Sequence, residues 1–379
     1  MIDDMLWGKP RSIREGLALV EYLEGISPYR NQRLPAYSIR VVSAVEHGIP
    51  KEFRRGALSL FAAAVYLPTP LLARALRHAW QQFLELNRIE DGGVSEEIHF
   101  FELDHHGLLA QLCHEAGIEG RLDTDRFART GRFDDLLDKL MLLLNPTGVD
   151  PRLVEELLNI LQKTHWVLLT DNVLSGTSVI SEGRRMLELV TMLKGADLPH
   201  PKHVTVVSQV ATDLAATSIY GTLGRSLPLV SGITISNNCR ITDDNCVLIE
   251  PSLLPEARRF CVWFARHFMS QDTRLKATMR ISGDDLRFGF KQSGLTLVRP
   301  ENCPSNTVPA FWYWPSRVPH QQHLFPPGQG QDYSPPFPRV GSRISQKTGH
   351  SSQKLSDIKD NWDVISSKIK RASNSRKRP

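Results

Sequence analysis

Apolar residues recur near a 3.6-residue period between Ile13 and Leu86. The pattern predicts helices in "IREGLALVEYLEGI", "KEFRRGALSLFAAAVYL" and "PLLARALRHAWQQFLELN". Gly25, Gly48 to Pro50 and Pro68 to Pro70 punctuate them. After "EDGGVSE" (Glu90 to Glu96), a natural boundary, "EIHFFEL" reads as a strand, with helical text through Cys113 and again from Phe133 to Leu144. "HWVLLT" is a short continuous apolar run, the pattern of a strand covered on both faces of a parallel sheet. Thr177 to Lys194 has the length and period of a helix, and Gly195 is a good stop. "HVTVVSQV" follows as a second strand about 37 residues after the first begins, which makes a βαβ unit.

Beyond it, "ATDLAATSIYGTL" predicts a helix, "SGITISN" a strand, and "LLPEARRFCVWFARHFM" an amphipathic helix. "RFGFKQSGLTLVRP" predicts two strands around a glycine turn. The fold class is α/β with a parallel sheet, preceded by an α-helical domain. The expected division is 1–92 helical, 93–315 α/β, and 316–379 a basic tail. That tail is rich in Pro, Ser and Gly, too poor in aliphatic residues to offset its ordering entropy, and expected to be disordered. A short helix is expected within it at "LSDIKDNWDVISSKIKRA".

Charge sharpens this division. The net charge of the 379 residues is +5, but 12 Lys and Arg against 4 Asp and Glu follow Pro315, so the remainder is slightly acidic. The basic run "SSKIKRASNSRKRP" is a candidate contact for nucleic-acid phosphates, salt-sensitive and without sequence preference, and equally reads as a solvated tail. Five scattered cysteines without CxxC spacing argue against a disulfide framework or zinc site and suit a cytoplasmic location. No secretory signal is visible at the N-terminus. The most apolar window, Gly56 to Leu76, contains Pro68, Pro70 and Arg74. It reads as two helices meeting at a turn rather than as a membrane span.

The chemistry concentrates in "WVLLTDNVLSGTSVISEGRRML". Ligands of parallel sheets sit beyond the carboxyl ends of the strands, and the junction after Leu169 is expected there. A helix beginning near Thr177 points free N–H groups and its positive dipole end at that crevice. Gly176 permits close approach, and Ser175, Thr177 and Ser178 add hydroxyls, so the turn suits a phosphate monoester. Asp171, just upstream, would repel a touching phosphate and suits sugar hydroxyls or a divalent cation beside it. GxxxxGK[ST] is absent, and a single glycine is no dinucleotide fingerprint. The same turn is also the pattern of simple helix capping.

"VLLTDNVLSGTS" resembles the ribose-phosphate loop of type I phosphoribosyltransferases. Thr170 and Asp171 align with that loop's two acids, and Ser175-Gly176-Thr177-Ser178 with its small-residue turn; only one acid is kept. Downstream, "FGFKQSGLTLVRPENCPSNTVPAFWYWP" resembles the end of PRTase-CE, a phosphoribosyltransferase-like family of prokaryotic anti-phage conflict systems. Pro304, Asn306, Thr307, Pro309 and Trp312 carry that match, and the resemblance would span about Ser95 to Pro315. It implies a five-stranded parallel core with a hood, binding 5-phosphoribosyl diphosphate (PRPP) or a nucleotide with Mg²⁺. Asp171 and Thr170 would then take the catalytic places. Asp171, Asn172, Ser175, Gly176, Thr177 and Ser178 would bind ribose and phosphate, with Mg²⁺ beside Asp171. In such enzymes substitution at the anomeric carbon passes through an oxocarbenium-like state, helped by positioning and by stabilising the departing diphosphate. Thr170 supplies a hydroxyl but no anion.

"DHHG" places Asp104, His105 and His106 as a candidate second loop at the end of the first strand, with surface or capping roles as the default. "FWYW" (Phe311 to Trp314) reads as packing of the C-terminal segment, and Asp243-Asp244 as a turn. Three readings follow. They are a phosphoribosyltransferase-like effector of bacterial defence with partner proteins of that system, a degenerate nucleotide sensor, and a nucleic-acid adaptor acting through the tail.

Overall fold

The computed structural model describes residues 45, 48–67, 69–89, 97–103, 107–116, 131–145, 150–270, 286–299, 303–313 and 348–376. In chain order the elements begin with α1 (Arg54–Ala62), β1 (Val65–Tyr66), α2 (Thr69–Asn87), β2 (Ile98–Glu102), α3 (Leu108–Ala116), α4 (Phe133–Leu142) and α5 (Pro151–Leu161). They continue with β3 (His165–Val173), α6 (Thr177–Gly195), β4 (His203–Thr212), α7 (Asp213–Leu223) and β5 (Leu229–Ile235). Last come α8 (Leu254–Phe264), β6 (Leu297–Val298), α9 (Thr348–Asp360) and α10 (Trp362–Arg376). Two compact units interleave along the chain: Met1–Thr69 with Ser236–Ile344, and Pro70–Ile235 with Ser345–Pro379. The linear order of helical segment, α/β segment and tail is therefore not the order of packing.

The second unit is built on a four-stranded sheet in the order β2-β3-β4-β5, every pair parallel. The resemblance implies five strands; four are present in this sheet among the described residues. Alternation along the strands sends Phe101, Trp166, Leu168 and Val206 to one face, where α4 to α7, α9 and α10 cover them. Phe100, Val167, Leu169 and Val207 point to the other face, beneath α2 and α3. Both faces are thus apolar, which is why "HWVLLT" shows no polar alternation. Helix α5 is an element the periodicity reading passed over. Asp150 caps it by accepting from Arg152 N at 2.9 Å, with Pro151 at its first position.

The first unit packs α1 against α8 and the segment ending at Tyr313. A Cβ on Gly56 would lie 2.3 Å from Glu256 O, so the two helix backbones meet there and only glycine fits. Three expectations change here. Val65–Tyr66 is not helix but strand β1, paired in parallel with β6. α8 gives way to a π-helical turn over Ala265–Met269. The strand pair expected in "RFGFKQSGLTLVRP" is a single short strand, because Lys291 and Gln292 adopt positive φ in a turn at Phe290–Gln292. The Pro-x-Asn-Thr-x-Pro segment then locks this turn. Asn306 Nδ2 donates to Phe290 O at 3.2 Å, Thr307 Oγ1 to Leu297 O at 2.5 Å, and Trp312 Nε1 to Thr307 O at 2.8 Å. Phe311, Trp312 and Tyr313 are buried, as packing residues should be; Trp314 lies outside the described residues.

Residues 348–376 form the helix expected in the tail, as two helices rather than one, and both dock on the second unit. No helix among the described residues is long and apolar enough to cross a membrane, and the five cysteines are free thiols.

At the amino edge of the sheet His165 is 4 % exposed and stacks on His203 with ring centroids 4.9 Å apart. Burial, with His203 and Lys202 adding repulsion, lowers its pKa to about 4. Burial, with Lys139 and Lys163, lowers His99 to about 3. Both sites favour the neutral ring, so the unfolded chain binds more protons than the folded one below pH ~6.5. Stability is full above that value and is lost as pH falls through the window toward 4, by up to about 1.4 kcal/mol per unit for each ring. Denaturant midpoints measured between pH 7 and 5 should fall, and His165→Phe should flatten the slope. A flat wild-type profile would contradict the assignment.

Candidate functional site at the carboxyl edge of the sheet

β3 runs on to Val173 rather than ending at Leu169, because β4 stays paired with it: Thr170 lies opposite Ser208 and Asn172 opposite Val210. Thr170, Asp171 and Asn172 are therefore strand residues, not loop residues. β2 stops at Glu102, opposite Leu169, so this last stretch of β3 extends past its neighbour on that side. Thr170 is 1 % and Asp171 7 % exposed. Thr170 Oγ1 donates to Asn172 O at 3.5 Å and Ser208 Oγ to Val210 O at 3.1 Å. The face alternation changes phase here: Leu168 and Val173, five positions apart, join the same cluster. Asn172 Oδ1 is buried without a hydrogen-bond partner.

The turn that follows is held from below. Thr212 Oγ1 donates to Leu174 O at 2.8 Å and accepts from Ala215 N at 3.0 Å, tying the turn to the start of α7. Gly176 is the N-cap of α6 in the left-handed region (φ 74°), packed so closely that a Cβ would sit 3.2 Å from both Ala215 O and Ile219 Cγ1. As a glycine, the N-cap residue has no side chain with which to cap α6. The hydroxyls of Ser175 and Thr177 bond each other at 3.2 Å instead, and Thr177 and Ser178 are exposed. The capping alternative raised by the sequence is thus not what these side chains do. The turn presents the free amides at the start of α6 together with three hydroxyls.

Among the described residues three helices start along this edge, and they differ. α7 is capped by Thr212 and carries Asp213 in its first turn. α3 is closed by Glu102, 7 % exposed, whose Oε1 accepts from Leu109 N at 2.7 Å and Oε2 from Gly107 N at 3.3 Å. Among the described residues, α6 is the one of these three for which no side-chain cap is seen. Asp104, His105 and His106 lie outside the described residues. Glu102 was missed by the sequence reading; a carboxylate ending a buried strand, just before a short link into a helix, was the available signal.

Asp171 does not by itself make a metal site. No group of three or more His, Cys, Asp or Glu able to hold an ion occurs among the described residues. A divalent cation here would depend on oxygens of a ligand's own phosphate, with Asp171 as the protein's carboxylate. On the neighbouring strand β4, the Gln209 amide reaches Gln111 of α3 at 3.4 Å.

The first unit carries a separate feature that the sequence reading passed over. A cavity of about 570 Å³ is lined by Arg258, Arg259, Val262, Trp263, Arg266 and His267. Their recurrence in pairs every four residues was the legible signal. Arg258 is committed to Asp244 at 2.7 Å and to Ile241 O at 2.6 Å, and Trp263 is sandwiched between Phe53 and His267. Asp243 accepts from Asn245 N at 2.9 Å, so Asp243-Asp244 is indeed a turn.

Comparison with curated proteins and with solved structures finds no match. The PRTase-CE family model matches residues 132–339, starting after β2 and α3 and taking in β3, its turn and the Pro-x-Asn-Thr-x-Pro segment. That match spans more than half of the chain, and with it the two motifs that first suggested the relationship: the chain belongs to the PRTase-CE family.

Proposed function

We propose that this PRTase-CE protein binds a ribose 5-phosphate group, with the phosphate at the start of α6 and the ribose hydroxyls toward Asp171. The observation that carries it is the uncapped helix start behind Gly176, fixed by the contacts to Ala215 and Ile219. A phosphate there would accept from the α6 amides and from Ser175, Thr177 and Ser178. The Asp171 carboxylate accepts hydrogen bonds from vicinal hydroxyls, and Thr170 adds no second anion. Mg²⁺ would arrive with the ligand and share Asp171. Family membership supports a role as effector in an anti-phage system.

Calorimetry with ribose 5-phosphate, a nucleoside 5′-monophosphate and PRPP, each with Mg²⁺, tests the reading. Wild type is expected to bind, and Asp171→Asn to lose roughly 10- to 100-fold in affinity, the scale of a charge-assisted hydrogen bond. Wild type that binds none of the three would defeat the proposal.

Some cations of the C-terminal segment are used within the fold, among them Lys368 of the basic run. Lys354 pairs with Asp138 at 2.6 Å, Lys359 pairs with Glu188, and Lys368 donates to Leu143 O at 2.6 Å. These charges hold α9 and α10 in place.

A further inference from the structure

We propose that the cavity along α8 binds a polyphosphate anion, either free or carried on a nucleoside. Its described lining residues all belong to the first unit, so the proposal does not depend on the sheet-edge reading above.

Arg258, Arg259, Arg266 and His267 border about 570 Å³, with Phe53, Val262 and Trp263 supplying the apolar part of the wall. That volume is in the usual range of small-molecule sites. Arg258 is held by Asp244 at its Nη1 and by Ile241 O at its Nε, and its Nη2 is buried with no acceptor. Buried donors normally find a partner, so this fixed guanidinium has one hydrogen bond still to make. Arg259, next along the helix, is exposed and makes no ion pair or hydrogen bond among the described residues. Trp263 lies nearly parallel to Phe53 at 5.0 Å and to His267 at 5.1 Å, with Phe260 and Phe268 around it. Its two faces are taken, so no base stacks on it; what it offers is an indole N–H of fixed direction. That N–H has no acceptor among the described residues.

Charge and spacing select the ligand. Among the described residues no Asp or Glu lines the cavity, and Glu256 of the same helix is paired with Arg55 at 3.1 Å. The lining therefore offers donors and positive charge to an anion, and the guanidinium fork suits phosphoryl oxygens. Arg259 and Arg266 stand two helical turns apart, roughly 10 Å along the axis. An orthophosphate meets one end of this row, whereas a chain of phosphoryl groups lying along α8 meets both. The π-helical turn Ala265–Met269, which carries Arg266 and His267, is an insertion of the kind that recurs at functional sites.

Calorimetry on the full-length protein tests this, with inorganic triphosphate, a nucleoside triphosphate, orthophosphate, citrate and the uncharged nucleoside as probes. Both triphosphates are expected to bind at least about tenfold more tightly than orthophosphate or citrate, and the nucleoside not at all. A nucleoside triphosphate more than about threefold tighter than inorganic triphosphate assigns the base to the wall of Phe53 and Val262. Equal affinities assign the site to the polyphosphate alone. Arg259→Gln should weaken both triphosphates at least about tenfold, and Trp263→Phe, which keeps an aromatic ring but loses the N–H, about threefold to tenfold. Asp171→Asn should leave them unchanged, which separates this cavity from the sheet edge. Triphosphate binding that survives Arg259→Gln but falls in Asp171→Asn overturns the proposal, and would place the anion at the sheet edge. Orthophosphate or citrate binding as tightly as the triphosphates overturns it too, as does wild type that binds neither triphosphate. Should Trp263→Phe not fold, Arg259→Gln decides, at an exposed position whose side chain holds nothing in place.

Discussion

A chain ending at Ile344 is expected not to fold its second unit. Helices α9 and α10 look expendable by composition, yet they bury Leu355 at 3 % exposure and Ile358, Ile365 and Ile369 at 0 %, in the same cluster as Trp166, Leu168 and Leu189. Removing one such side chain to alanine costs about 2 to 4 kcal/mol through lost transfer energy and the cavity left behind. Four together, with the sheet-covering layer stripped beneath them, match or exceed the roughly 5 to 15 kcal/mol that holds a domain folded. Single Ile358→Ala and Ile369→Ala substitutions should therefore lower unfolding free energy by about 2 to 4 kcal/mol in denaturant titration. Lys370→Ser, at an exposed position of the same helix, should leave it within about 0.5 kcal/mol. A truncated protein that unfolds at the wild-type midpoint would show that this segment lies outside the cooperative core.

That segment shows why part of the fold was legible and part was not. The strands "HWVLLT" and "HVTVVSQV" and the helix at Thr177 announce themselves, because burial on both faces of a parallel sheet forces continuous apolar runs. In α9 and α10 the same information is thin. The buried positions are four aliphatic residues among Lys, Ser, Asp and Asn, and what makes them core is the apolar face of α4, α5 and α6 that they meet. Tertiary partners decide such a helix, and a single sequence shows only one of them. Boundaries were lost for a related reason. The extension of β3 to Val173 depends on β4 running alongside, which takes the strand past Thr170, where the apolar run ends, and brings in Asp171 and Asn172.

The site divides the same way. Ser175 to Ser178 stand out as a small-residue turn, and the turn is where the reading put it. Glu102 shows no motif, because its importance comes from which amides its carboxylate reaches after the chain bends back. The turn in "RFGFKQSGLTLVRP" misled because glycine and aromatic alternation fit a hairpin, whereas Gly289 at φ 85° sits where a Cβ would come within 2.2 Å of Asn306 O. That clash is made by a segment 17 residues later, and local pattern carries no trace of it.

Replacing Gly176 by valine is expected to abolish ribose-phosphate binding while the protein still folds. Two effects add. A non-glycine residue at φ 74° costs about 1 to 2 kcal/mol, and more when β-branched, so the turn leaves the left-handed region. The new Cβ would also meet Ala215 O and Ile219 Cγ1 at 3.2 Å, and the added methyl groups have no room on that side. The turn must swing away from α7, carrying the first amides of α6 off the point on which they converge. Because a phosphate is held by several such amides at once, displacement by a fraction of an ångström weakens all of them together. Affinity for ribose 5-phosphate should fall more than about 30-fold, equivalent to roughly 2 kcal/mol, measured by calorimetry. Ser178→Ala removes one exposed hydroxyl and should cost less than about tenfold. Gly176→Ala, which brings the Cβ without the methyls, should fall between them. A valine variant that binds as wild type would mean that the phosphate is held elsewhere, since no route leaves these amides converged once that position acquires a branched side chain.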